Sequence, residues 1–445
     1  MKILFISLGC DKNLVDSENM LGMLTQRGYF LTDDETEADI IVVNTCCFIN
    51  DAKEESIQTI LDMAKLRREG VCKALIVTGC LAQRYKEEIQ TEIEEVDAIL
   101  GTTSYDEIVS AIDRVLEGQQ VCSFQNIDRL PNVQAKRVLT TGGHYAHLKI
   151  AEGCDKHCTY CIIPKIRGNF RSVPMEQLVK EAEELAEQGV KELILVAQET
   201  TLYGKDLYGK KSLHVLLKEL CKVSGIRWIR VLYCYPEEIY DELIETIRDE
   251  KKICHYLDLP IQHASDRVLK RMGRRTNRRQ LEEIIAKLRK EIPDIALRTT
   301  LITGFPGETQ EDHEELMAFV DEMEFDRLGV FTYSQEEDTP AAAMEDQIDE
   351  QTKLDRQAEL MELQQEVSFD KNETQIGKTV LAMVEGYLSD ENAYVTRTYA
   401  DAPGIDGYLF LNTNETLMSG DFVRAKITGA LEYDLIGELE DEFTE

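Results

Sequence analysis

Short apolar runs alternate with amphipathic stretches through the first hundred residues. Residues 2–8, 40–44 and 75–78 are near-continuous apolar blocks, the pattern of strands buried on both faces of a parallel sheet. The intervening segments 16–27, 53–68 and 83–95 carry apolar residues at helical spacing. This alternation predicts an open, doubly wound α/β sheet with right-handed crossovers. Each of the three strands runs into a cysteine, in Gly9-Cys10, Thr45-Cys46 and Gly79-Cys80. Sites in open α/β sheets form at the carboxyl ends of the strands, so three cysteines far apart in sequence are expected on one edge.

Residues 118–139 contain Pro131 and little periodicity, and are expected to be a linker. A second α/β series follows, with strands expected at 146–150, 192–197, 228–232, 256–260, 296–302 and 327–333, and helices between them, such as 175–188 and 278–290. Six strand–helix repeats suit a partial TIM-like (β/α)6 barrel, whose site lies at the C-terminal ends of its strands. An acidic helical stretch, 344–367, comes next. The final segments 380–387, 393–398, 408–411, 422–428 and 431–436 read as short strands separated by Gly and Asp, the pattern of a small antiparallel β-barrel. The expected organisation is an α/β multidomain chain with a first domain at 1–117, a barrel at 140–370 and a terminal domain at 373–441.

Composition narrows the function classes. The 445 residues suit about three domains. With 43% hydrophobic and 30% charged residues, the chain is globular rather than disordered. Its formal net charge of −34 repels a phosphate backbone over the average surface and favours basic partners. No apolar run approaches the roughly 18 residues of a membrane span. The apolar N-terminal stretch is cut short by Asp11 and Lys12, too early for an export signal. It is read as a first buried strand, and the protein is expected to be cytoplasmic with no membrane partner. Twelve cysteines in a reducing compartment point to metal or redox chemistry wherever they cluster.

The sharpest cluster is Cys154-Asp155-Lys156-His157-Cys158-Thr159-Tyr160-Cys161. Three thiols this close fit one tight loop and are soft ligands for an iron–sulfur cluster or zinc. A structural zinc site needs a fourth ligand. His157 is nearest, but it adjoins Cys158 and cannot readily turn onto the same metal. Three thiols on a four-iron cluster leave one iron open for chemistry, and this spacing resembles the signature of the radical S-adenosylmethionine enzymes. The resemblance implies that the open iron chelates S-adenosylmethionine, which one electron then cleaves to a 5′-deoxyadenosyl radical.

Cys10, Cys46 and Cys80 form a second trio. Singly, each reads as a small buried hydrophobe. Together, in a chain with cluster chemistry, they point to a second cluster, although spacing does not choose between Cys46 and its neighbour Cys47. Cys72, Cys122, Cys221, Cys234 and Cys254 have no partner at a recognisable spacing and are mostly expected in the core.

With both trios, the α/β domain, the partial barrel and the terminal barrel, the whole chain resembles the methylthiotransferase family. The resemblance rests on Ser7-Leu8-Gly9-Cys10-Asp11-Lys12-Asn13 with Asp16-Ser17-Glu18, on Asn44-Thr45-Cys46 and on Thr78-Gly79-Cys80. It continues through Glu152-Gly153-Cys154, Cys161-Ile162-Ile163-Pro164 and Arg167-Gly168. Gly420-Asp421-Phe422-Val423-Arg424 and Tyr433-Asp434-Leu435-Ile436-Gly437 look like a TRAM domain.

The match implies that Cys46, not Cys47, joins Cys10 and Cys80 on an auxiliary [4Fe-4S] cluster. It also implies that Cys154, Cys158 and Cys161 hold the [4Fe-4S] cluster that binds S-adenosylmethionine. Tyr160, Gln198, Thr200, Gln262 and Gly304 are weaker candidates for contacting that cofactor, as are His263 and the stretch up to Thr309. Arg167 and Arg171 are candidates either for clamping a carboxylate or for pinning the cluster loop.

Within that family, the tRNA-modifying members usually read Gly-Cys-Gln-Met-Asn or Gly-Cys-Lys-Val-Asn at the first cysteine. Gly9-Cys10-Asp11-Lys12-Asn13 is more similar to the branch that modifies an aspartate of small-subunit ribosomal protein twelve, although a proline often stands where Asp11 is. That branch replaces a β-carbon C–H of the aspartate with a methylthio group, and it needs an electron donor such as flavodoxin or ferredoxin. Charge agrees: residues 370–445 hold five Lys or Arg against sixteen Asp or Glu, which suits a basic ribosomal protein better than tRNA. The rival readings are a tRNA adenosine methylthiotransferase and a non-catalytic iron–sulfur or zinc redox protein. Arg267, Lys270, Arg271, Arg274, Arg275, Arg278 and Arg279 form one basic cluster, read first as a solvated helix face and second as a contact for RNA or substrate.

Overall fold

The computed structural model describes residues 1–133 and 135–440. Its first sheet is wholly parallel. It contains β1 (Lys2–Ser7), β2 (Phe30–Thr32), β3 (Ile40–Thr45), β4 (Ala74–Gly79), β5 (Ala98–Leu100) and β6 (Val121–Ser123), in the order β2-β1-β3-β4-β5-β6. Every residue of β3 and β4 is buried, which explains their unbroken apolar sequences. Ile40 and Val42 face the helices Asp11–Arg27 and Ile108–Leu116, while Ile41 and Val43 face Asn50–Arg68 on the other side.

The structure departs from two expectations. The stretch 118–139 is not a linker throughout, because Val121–Ser123 is the sixth strand, paired to β5. Three residues are too few to display an alternation. The helix expected at 83–95 is two, Cys80–Arg84 and Lys86–Glu92, with Tyr85 between them at φ −121°. The break lets Arg84 and Tyr85 reach Glu336 and Glu337 of the second unit.

The second sheet begins with β7 (Tyr145–Lys149). A two-residue antiparallel pair follows, β8 (Ala151–Glu152) with β9 (Arg171–Ser172). The sheet resumes with β10 (Glu192–Val196), β11 (Trp228–Val231), β12 (Ile253–Asp258), β13 (Ala296–Thr303) and β14 (Arg327–Thr332). All six strands from β7 to β14 that form it are parallel and lie in chain order, an open (β/α)6 barrel. Outward residues such as Leu193, Leu195 and Leu297 pack under the helices Met175–Glu187, Leu213–Cys221, Arg278–Glu291 and Gln310–Met323. The acidic helix lies at Glu350–Glu373, against β14.

β15 (Thr379–Leu388), β16 (Ala393–Thr398), β17 (Leu409–Asn412), β18 (Phe422–Ala430) and β19 (Leu435–Leu439) close into a barrel. Four of its seams are antiparallel and the β17–β19 seam is parallel. The expected end of this domain, 441, lies outside the described residues. Met383, Ala402 and Phe422 pack against Ile194, Trp228, Tyr256 and Ala296, and the Phe422 ring meets Trp228 edge-on at 4.8 Å. Beside them Glu192, fully buried, accepts from Arg230 at 2.8 Å and from Arg397 at 2.6 Å. Glu192, Trp228 and Ala296 each open a strand, so the terminal barrel seals the inner face at its strand-start end. The opposite end faces the first domain.

Candidate functional site

β1, β3 and β4 are adjacent and parallel, and Cys10, Cys46 and Cys80 follow their carboxyl ends. The three thiols therefore rise from one edge of one sheet. Two glycines make this approach possible. Gly9 has φ +95°, and a Cβ there would stand 2.7 Å from Cys46 Cβ and 2.9 Å from its Sγ. Gly79 has φ +92°, and its Cβ would fall 2.5 Å from the Thr45 carbonyl oxygen. The loops are cross-braced. Asn44 Nδ2 donates to Asn13 O at 3.0 Å, and Cys46 N donates to Ser56 Oγ, which donates back to Cys46 O.

Cys46 and Cys47 face different surroundings. Cys46 lies against Gly9, within electrostatic reach of Cys10 and Arg167. Cys47 is fully buried in the apolar layer with Ile60 and Leu81. Burial pushes the Cys47 thiol up to about 12, and pushes Cys46 and Cys80 up as well. Of the unassigned cysteines, Cys72, Cys234 and Cys254 are core residues, Cys221 is half-buried, and Cys122 on β6 is exposed.

Cys154, Cys158 and Cys161 occupy the loop after β8. Its path is fixed from outside the motif: Cys154 N donates to Gly168 O, Thr159 N to Met272 O, and Thr159 Oγ1 to Arg271 O. Tyr235 OH lies 3.8 Å from Cys158 Sγ. His157 is exposed at φ +53°. A cavity of about 660 Å³ opens here, lined by His157, Cys158, Cys161, Lys165 and Asp338. Among the described residues no three His, Cys, Asp or Glu side chains close around a single ion. A four-iron cluster makes a different demand, since each thiolate binds a different iron and the thiols must stand apart.

The residues around this loop divide by what their polar atoms do. Gln198 Nε2 donates to Glu152 at 2.8 Å while its buried Oε1 has no partner. Thr200 is fully buried with its hydroxyl on the Leu232 carbonyl at 2.7 Å. Tyr160 packs against Met272, Phe305 and Tyr333. Gln262 stands at φ +73°, bonded through its backbone to Thr300 and Ile302. His263 is buried, and burial drives its ring down to about 3, so it is neutral. Gly304 has a packing reason, because a Cβ there would lie 2.2 Å from Lys353 Cγ.

Sequence reasoning passed over two residues beside this loop. Glu199 is fully buried, its Oε2 has no hydrogen bond and lies 4.0 Å from Lys156 Nζ, and burial pushes its carboxyl up to about 7. Arg274, 7% exposed, stacks over Tyr235 at 4.3 Å and donates to Pro260 O, leaving Nε and Nη1 without partners. It was hidden in the basic cluster. That cluster is not a plain solvated face: Arg267 pairs with Asp312, Arg271 with Asp346, Arg278 with Glu282 and Arg279 with Glu283.

The two trios are connected through Arg167, which is 2% exposed. Its guanidinium reaches Asp16 at 2.8 Å, Asn13 at 3.0 Å, Glu152 at 3.3 Å and Cys80 Sγ at 3.4 Å. Lys149 joins Asp16 and Glu152 from the other side. Arg171 donates to the carbonyl oxygens of Arg167 and Asn169, pinning the chain that follows the cysteine loop.

Family models match along the chain: uncharacterized protein family UPF0004 at 2–101, the radical SAM superfamily at 148–320 and the TRAM domain at 376–439. The ribosomal protein uS12 methylthiotransferase RimO of Lachnoclostridium phytofermentans is 66% identical over 440 residues, covering 99% of this chain and 100% of the relative. The protein of the same name from Clostridioides difficile is 50% identical over 439 residues, covering 99% of each. Among solved structures, the radical S-adenosylmethionine methyltransferase TsrM of Kitasatospora setae, with cobalamin and a [4Fe-4S] cluster bound, superposes with a TM-score of 0.56. It is 13% identical, covering 76% of this chain and 73% of that one, so the likeness is one of fold. No helix among the described residues is long and apolar enough to cross a membrane.

Proposed function

The chain belongs to the ribosomal protein uS12 methylthiotransferase family, and on that premise we propose that it replaces a β-carbon C–H of an aspartate in uS12 with a methylthio group. The observation that carries the reading is Arg167, one buried side chain that touches Cys80 of the first trio and Glu152, two residues before Cys154 of the second. The trio at the ends of β1, β3 and β4 and the trio in the loop after β8 thus flank one buried ionic cluster.

The residues fit the cofactors the family uses. In this reading Cys10, Cys46 and Cys80 hold an auxiliary [4Fe-4S] cluster, and Cys154, Cys158 and Cys161 hold the one that binds S-adenosylmethionine. Unpartnered atoms of Gln198, Glu199 and Arg274 beside the second trio suit the amino and carboxylate groups of that cofactor. Tyr160 stands on the cysteine loop, Gln262 and Gly304 follow β12 and β13, and Thr200 braces the end of β11 through its hydroxyl. When bound, these groups supply a reductively generated radical able to break an unactivated C–H bond, together with the sulfur and methyl group that replace the hydrogen.

The chain's own residues orient and enclose. Lys156, between Glu237 and Glu238, holds the cysteine loop against the strand end that carries Tyr235. Arg167 and Lys149 balance Asp16 and Glu152 where water is excluded. The reading places the protein in the cytoplasm, with flavodoxin or ferredoxin as the electron donor. The test is to reconstitute the protein anaerobically, add reductant and S-adenosylmethionine, and offer uS12 and bulk tRNA in parallel. A methylthio group on the uS12 aspartate by mass spectrometry is the expected result. Modification of tRNA alone would overturn the substrate.

A further inference from the structure

Lysines seldom go into a protein interior without a counter-charge. The most buried ones here follow that rule with one exception. Lys149 pairs with Glu152 at 2.8 Å, Lys156 with Glu237 at 3.3 Å and Lys353 with Glu350 at 2.6 Å. Lys12 is only 6% exposed, and among the described residues no carboxylate stands within ion-pair distance of its ammonium, whose charge is supported by Tyr233 and, from farther off, by Cys10 and Asp11. Its single contact of note is the face of Tyr233, with Nζ 3.3 Å from the ring centroid. A ring face engages the positive charge but supplies no carboxylate oxygen for the ammonium N–H donors. Asp11, the nearest acid in sequence, acts on it only from a distance and lies 3.6 Å from His147.

The position of this ammonium gives it meaning. Lys12 follows Cys10 by two residues, in the first turn of a 17-residue helix whose N-terminus meets the sheet edge bearing Cys46 and Cys80. Tyr233 lies just past β11 with φ +58°, an unusual conformation for a bulky residue. Two residues on, Tyr235 reaches Cys158 Sγ. The ammonium is therefore held between the first trio and the segment that touches the second.

We propose that Lys12 is the anchor for the side-chain carboxylate of the aspartate to be modified. This rests on reading the protein as an aspartate methylthiotransferase and adds the group that selects the residue. A carboxylate arriving in this space supplies the missing counter-charge, and the β-carbon, one bond from the carboxyl carbon, is carried between the trios. The anchor discriminates by chemistry: asparagine has the same shape without the charge, so it leaves the ammonium unneutralised.

The test compares uS12 with a uS12 whose target aspartate is changed to asparagine. Dissociation constants come from fluorescence anisotropy with the full-length, cluster-loaded enzyme, and kcat and KM for the aspartate form from mass spectrometry. Wild type is expected to bind the aspartate form about ten- to a hundredfold more tightly. Lys12→Met should bring the two affinities within about threefold, while Lys12→Arg, which keeps the charge, should keep the preference. Iron content and the electron paramagnetic resonance spectrum confirm loading, and Lys12→Gln replaces Lys12→Met if the latter fails to load. A Lys12→Met or Lys12→Gln enzyme with undiminished preference for aspartate overturns the inference, as does a wild type that binds both forms equally. A wild type that modifies tRNA and not uS12 overturns the underlying reading instead.

Discussion

Arg167 donates to Cys80 Sγ at 3.4 Å, so a side chain from the barrel reaches a thiol of the first domain. The same guanidinium pairs with Asp16 and Glu152, both almost wholly buried. Arg167→Met would leave those carboxylates with Lys149 as their one ion-pair partner among the described residues, beside the Gln198 amide on Glu152. The expected cost is about 3–5 kcal/mol, the range for breaking a buried pair from one side. It should appear as a lower urea midpoint for the apoprotein, and Arg167→Lys should recover part of it.

The trios should separate by function. Cys154→Ala is expected to abolish both S-adenosylmethionine cleavage and product. Cys46→Ala should still cleave S-adenosylmethionine but give no methylthio transfer. Cys47→Ala should be nearly silent, because that thiol faces the apolar layer. Product analysis with iron quantification checks all three, and loss of iron from Cys47→Ala would exchange the roles of the two neighbours.

Gly79→Ala tests the close approach that precedes Cys80. A Cβ at φ +92° meets the Thr45 backbone at 2.5 Å, so strain of about 1–3 kcal/mol is expected. Because that strain falls between the strand ends that lead into Cys46 and Cys80, iron at the first trio should drop while the second trio loads normally. Equal iron in variant and wild type would contradict this.

The terminal barrel should release in acid. Burial would raise the Glu192 carboxyl, but Arg397 and Arg230 outweigh it and hold the group below its ordinary 4.5. A carboxyl depressed in the folded state adds stability that is fully present above the ordinary value and lost as pH falls through the folded one. Barrel docking should therefore be unaffected at neutral pH and weaken below about pH 4.5, as read by the Trp228 fluorescence that reports its contact with Phe422. Glu192→Gln should remove that acid transition.

Much of the site was legible because its signals are local. Cys154, Cys158 and Cys161 lie within eight residues, and the blocks ahead of Cys10, Cys46 and Cys80 are apolar enough to mark strands. What sequence reasoning missed depends on contacts distant in the chain. Arg271 is neutralised by Asp346 and Arg267 by Asp312, so their charges cannot be judged from their own helix. Glu199, Arg274 and Lys12 matter through burial and through hydrogen bonds or counter-charges left incomplete, which only packing reveals. The strands β2, β5 and β6 have three residues each, too few for any periodicity to show.

The central claim is that both trios hold clusters, brought near one another on either side of Arg167. Electron paramagnetic resonance of the fully reduced protein tests it most directly, against variants in which Cys10, Cys46 and Cys80, or Cys154, Cys158 and Cys161, are all alanine. Each variant should keep half the iron and give the spectrum of one isolated cluster. The wild-type spectrum should differ from the sum of the two through magnetic coupling between neighbouring clusters. A wild-type spectrum equal to that sum, or full iron retained by either variant, would contradict the account.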